Sequence, residues 1–114
     1  MTGESAPGLP GPTPENLEAF RQNYLAAFLR YLARRDETAL HYGYELGRSA
    51  VADRLGLLEV ARVHHDVFLQ VLSTVTAEEL ADVGTAASEF FLEVLATYDM
   101  AQKVFLDGPD ADAP

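Results

Sequence analysis

The sequence has no cysteine and no tryptophan among its 114 residues, and only eight basic side chains against 18 acidic ones. Without cysteine there is no disulfide, no thiolate nucleophile and no zinc–thiolate centre. A formal net charge of −10 argues against nucleic acid or an anionic membrane as partner, because such binding rests on Lys and Arg neutralising phosphate. No apolar run approaches the roughly 18 residues that a membrane span requires. The opening Met1-Thr2-Gly3-Glu4 lacks the basic and apolar regions of a signal peptide. These absences lead to the expectation of a cytoplasmic protein.

What is present is a globular composition, 48% hydrophobic and 23% charged, of a length that supports one core. Residues 1–12 are rich in Pro and Gly with one large apolar residue, Leu9, and read as a flexible lead. Residues 108–114, Gly-Pro-Asp-Ala-Asp-Ala-Pro, read as a flexible acidic tail. The folded domain is expected over residues 13–107.

Four helices are expected there. The first opens with Thr13 as N-cap, Pro14 at the first helical position and Glu15 in the first turn, and repeats apolar residues at Leu17, Phe20, Tyr24, Phe28 and Tyr31. Arg34 and Arg35 suit its carbonyl end, and Asp36 caps the next helix. The second is expected to run to Leu55 and to stop at Gly56. Gly43 and Gly47 lie on one of its faces and each costs about 1 kcal/mol against Ala, which points to a close helix crossing. The third runs from Leu57 to about Thr74, and Thr76-Ala77-Glu78-Glu79 is a capping box for the last, which Gly108-Pro109 should end. No alternating strand pattern is present. Short links between amphipathic helices imply an all-α, antiparallel up-and-down four-helix bundle. Broad apolar stripes on the first and last helices make a homodimer the default expectation.

The sequence carries no convincing catalytic or cofactor motif. A carboxylate-bridged metal bundle needs Glu three residues before an inward histidine, and here Thr38, Ala61 and Arg62 precede His41, His64 and His65. His64 lies in an apolar stripe between Ala61 and Phe68 and reads as a hydrogen-bonded core histidine, with His65 and Asp66 facing outward. Glu37, His41 and Glu45 share one helical face and read as a solvated patch. Ser49, Ser73 and Ser88 lack a nucleophile-elbow setting, and no phosphate-binding loop exists. The reading is a non-enzyme with no metal and no cofactor. Charge is uneven: residues 76–114 carry nine acids and one base, Lys103, so the last helix could present an acidic, aromatic surface.

Four segments carry a resemblance. Phe28-Leu29-Arg30-Tyr31-Leu32-Ala33, Tyr44-Glu45-Leu46-Gly47-Arg48, Leu58-Glu59-Val60-Ala61-Arg62-Val63-His64 and Phe91-Leu92-Glu93-Val94-Leu95-Ala96-Thr97-Tyr98-Asp99-Met100-Ala101 occur in that order. Together they resemble the N-terminal regulatory domain of RsbU-type phosphoserine phosphatases, a KaiA/RsbU-like helical domain, over residues 17–106. The resemblance implies a homodimer that binds an RsbT-like switch kinase and so controls a PP2C-type serine phosphatase in stress-response signalling and sigma-factor regulation, with no catalytic role of its own. It places partner contacts at Tyr44, Glu45, Arg48, Glu59, Arg62 and His65, and a dimer or core motif at Phe28, Tyr31, His64, Phe91, Tyr98 and Met100. Because Gly108-Pro109 stands where the family continues into its output domain, the reading stays open between a free-standing relative and a fragment. An alternative is a small-molecule sensor with its ligand held in the core between Tyr24, Tyr44, His64 and Phe91.

Overall fold

The computed structural model describes the backbone of residues 13–111 and the side chains of residues 13–104. The expected lead, residues 1–12, and the end of the expected tail lie outside the described residues. Among the described residues there are four helices: α1 (Pro14–Arg34), α2 (Glu37–Ala52), α3 (Leu57–Leu72) and α4 (Leu80–Ala111), the last entered through a 3-10 turn at Ala77–Glu79. No strand occurs among the described residues. The fold is an all-α four-helix bundle.

The local signals act as expected at three of the helix starts. Thr13 Oγ1 accepts the Asn16 N–H at 2.9 Å, and Asp36 Oδ1 accepts the Ala39 N–H at 2.8 Å. The Asp36 carboxyl is held below its usual range, chiefly by that backbone donor. At the turn into α4 the Thr76 N–H donates to Glu79 Oε1 at 2.8 Å. Arg35, the cap of α1, adopts a left-handed φ of 54°. That conformation costs a non-glycine residue about 1 kcal/mol, and the guanidinium beyond it ties the end of α1 to α4 through Asp82 and Glu89, each at 3.0 Å.

Two helix ends differ from the sequence pattern. α2 ends at Ala52, not Leu55. The left-handed residue is Arg54, φ 64°, and Leu55 N–H closes a 2.9 Å bond back to Ala50 O, the six-to-one bond of a Schellman ending. The tertiary reason is Leu55, which is only 2% exposed and turns into the core. Gly56 instead caps α3, its N–H donating to Glu59 Oε1 at 2.8 Å. The second difference is α4, which continues to Ala111 through Gly108 and Pro109. Proline removes one amide donor and crowds the residue before it, but glycine has no Cβ to clash, so the helical conformation survives there.

Chain directions alternate. Arg30 meets Tyr42, Tyr31 meets Glu89 while Arg35 meets Asp82, and Tyr98 meets Leu55 while His64 meets Phe91. The closest pairing, however, is between the parallel helices α2 and α4, not between chain neighbours. Glycine is the cause. A Cβ on Gly47 would stand 2.6 Å from Val94 O and 2.9 Å from Tyr98 N, and one on Gly43 would stand 3.2 Å from Phe90 Cε1. Close crossing brings Phe90, Val94 and Tyr98 of α4 into a common core with Tyr24 and Phe28 of α1, Ala50 of α2 and Val60, Val63 and Val67 of α3. Each large side chain buried there contributes about 1.5–3 kcal/mol of transfer free energy.

Candidate functional site

Two buried tyrosines, Tyr24 and Tyr98, have polar partners in the interior. The Tyr24 hydroxyl and His64 Nδ1 are 2.8 Å apart, and the His64 ring stacks on Phe91 at 4.0 Å and 5°, with Phe68 on a parallel plane at 5.9 Å. Burial, aided by the charge of His65, lowers the His64 pKa to about 4, and burial raises that of Tyr24. The histidine is therefore neutral at physiological pH, and the phenol can close the pair by donating to Nδ1. This is the hydrogen-bonded core histidine that the sequence pattern describes. The Tyr98 hydroxyl donates to Leu55 O at 2.8 Å, closing the other end of the α3–α4 seam.

The expected ligand-holding core is only partly assembled. Tyr24, His64 and Phe91 meet, but Tyr44 stands apart, lining a groove between α2 and α4. Its separation follows from helix phase: Tyr44 lies one residue beyond Gly43, which faces Phe90, and so turns to the flank of the α2–α4 contact.

The titratable surface residues are solvated as expected. His41 Nε2 lies 3.0 Å from Glu45 Oε2 with both side chains 58% exposed. His65 and Asp66 are exposed, and Asp66 pairs with Arg21 at 2.7 Å, which holds its carboxyl below the usual range. Among the described residues no group of three His, Asp or Glu side chains is placed to hold a metal.

The six residues assigned to a dimer or core motif separate by burial. Phe28, Tyr31 and Tyr98 are buried within one chain, His64 and Phe91 are half-buried, and Met100 is 63% exposed. The six partner-contact residues separate by helix. On α2, the Arg48 guanidinium lies 5.9 Å over the Tyr44 ring, beside a groove of about 350 Å³ shared with Val51, Thr97, Met100 and Val104. Glu45 lies on the opposite flank of α2, in a second groove of about 380 Å³ against α1. On α3, Glu59 is engaged as the cap of Gly56, while Arg62 and His65 are exposed. Sequence reasoning missed the second groove's polar pair: Arg30 Cζ lies 5.0 Å over the Tyr42 ring, and its Nη1 donates to the Tyr42 hydroxyl at 3.1 Å. Their separation of twelve residues on different helices gives no local signal, although Arg30 falls within a segment that carries the resemblance.

A closed aromatic core with its open features on the outer faces of the helices defines a small all-α domain. No helix among the described residues is long and apolar enough to cross a membrane. The family described as phosphoserine phosphatase RsbU, N-terminal domain, matches residues 22–101, and the chain belongs to that family. The matched region is the regulatory N-terminal part of such phosphatases and not their catalytic domain. No curated protein and no solved structure matches the chain significantly.

Proposed function

We propose that this chain is a non-catalytic regulatory interaction domain of bacterial stress-response signalling. In this reading it forms a homodimer in the cytoplasm, binds an RsbT-like switch kinase, and thereby controls a PP2C-type serine phosphatase or a related output. The observation that carries the reading is the family match across residues 22–101, nearly all of the four-helix unit. The structure supports it through the interior, where Tyr24, His64 and Tyr98 already have partners, leaving recognition to the outside of the bundle. A partner that binds one arrangement of the domain better than another shifts the equilibrium by its differential affinity.

The test is light scattering on a size-exclusion column, first alone and then with an RsbT-like kinase from the same genome. The reading requires a mass near twice 12.4 kDa that grows when the kinase is added. A monomer whose elution ignores the kinase would overturn it.

A further inference from the structure

We propose that the outer face of α2, with the groove on each of its flanks, docks an acidic, apolar-bearing segment of a partner protein, and that Arg30 and Arg48 hold the partner's carboxylates. The inference rests on the docking role proposed above and adds the surface and its chemistry.

Acidic residues outnumber basic ones by more than two to one, and Arg21, Arg34, Arg35 and Lys103 each lie against a carboxylate. Among the described residues Arg30, Arg48, Arg54 and Arg62 do not. Of these four, Arg30 and Arg48 are laid over tyrosine rings, Tyr42 and Tyr44, one on each flank of the same helix. Stacking restrains the long side chain, and the donors that remain, those of the Arg48 fork and those of Arg30 other than the Nη1 that donates to the Tyr42 hydroxyl, can meet a carboxylate with less entropy lost. The nearby acid, Glu45, is engaged by His41.

The apolar part of the surface is adjacent. Met100 and Val104, 63% and 72% exposed, border the Arg48 groove, and Ala26, Ala27 and Leu46 floor the Arg30 groove. Tyrosine and arginine beside an apolar recess are the residue types that dominate binding energy at protein interfaces. A helix about 10 Å across separates the two grooves, a span that suits a protein segment better than a small molecule.

The test is calorimetric titration of the 114-residue chain with the RsbT-like kinase, using Arg30→Glu, Arg48→Glu, the double variant, Arg48→Lys and, as a control of equal charge change outside both grooves, Arg54→Glu. Thermal melts establish that each variant folds. Each of the two single reversals should weaken binding about 10-fold and the double variant about 100-fold or more, with Arg48→Lys intermediate and Arg54→Glu within about 2-fold of the parent. The parent's affinity should fall with added salt and the double variant's should not. A double variant within about 3-fold of the parent, or an Arg54→Glu loss as large as that of Arg48→Glu, would overturn the proposal while leaving the docking role intact. A parent chain that does not bind the kinase would overturn the docking role and this inference together.

Discussion

The two long seams of α4 are built on opposite principles. Against α2 the seam depends on atoms that are absent: Gly43 and Gly47 let the Phe90–Tyr98 stretch of α4 approach until a methyl added at Gly47 would meet backbone and one at Gly43 the Phe90 ring. Against α1 and the start of α3 it depends on polar atoms that are present and matched, with Tyr31 on Glu89 and Tyr98 on Leu55 O, and the adjoining α1–α3 contact adds Tyr24 on His64. The first kind is intolerant of addition and the second of deletion. It follows that the α2–α4 seam should respond steeply to added volume and weakly to pH, and the α1–α3–α4 seam the reverse.

The most damaging single change should be Gly47→Ala. Helix propensity favours alanine by about 1 kcal/mol, but the new Cβ meets backbone of Val94 and Tyr98, which cannot move aside cheaply. A net loss of about 2–3 kcal/mol by urea denaturation is expected. Gly43→Ala sharpens the point: its nearest neighbour is the edge of the Phe90 ring at 3.2 Å, a side chain able to shift, so the propensity gain should largely offset the crowding. Equal losses at the two positions would contradict the account of the seam. Next in size is Tyr98→Phe, which strands the buried Leu55 carbonyl and should cost about 1–3 kcal/mol.

Smaller again is Tyr24→Phe, expected to cost about 1 kcal/mol because His64 is only half-buried and water can replace the phenol. The same pair predicts a pH dependence. The unfolded histidine titrates near 6.5 and the folded one near 4, so between these values the unfolded chain binds the extra proton. Stability is therefore complete above pH 6.5 and is lost as the pH falls toward 4. Asp36 and Asp66, whose folded pKa values lie below the usual 3.8, add their losses only at lower pH. Melting temperatures of the parent and of His64→Gln across pH 4–7 check this, and the variant's curve should be the flatter. One change should be a gain: a Cβ on Gly84 of α4 would meet nothing within 4 Å, so Gly84→Ala should stabilise by about 0.5–1 kcal/mol.

Legibility in the sequence followed the range of the interaction. The caps at Thr13, Asp36 and Thr76 are set by atoms three residues away, and all were readable. Gly43 and Gly47 announced a close crossing, but not that α4 would fill it, since short links favoured antiparallel neighbours. The end of α2 was misread because the pattern at Gly56 is local, whereas Leu55 is drawn inward by the core and its carbonyl is held by Tyr98. At the candidate site, Tyr44 and Arg48 were readable as one turn of a helix. Arg30 and Tyr42 were not, because only the tertiary fold brings them together.

The central claim is that recognition occurs outside a closed core, on the face of α2. Hydrogen exchange of backbone amides with and without the RsbT-like kinase tests it most directly. The account predicts added protection concentrated in α2 and in the adjoining parts of α1 and α4 that carry Arg30 and Met100, with the Tyr24–His64–Phe91 seam unchanged. Protection centred on that seam, or on α3 around Arg62 and His65 with α2 unaffected, would contradict it.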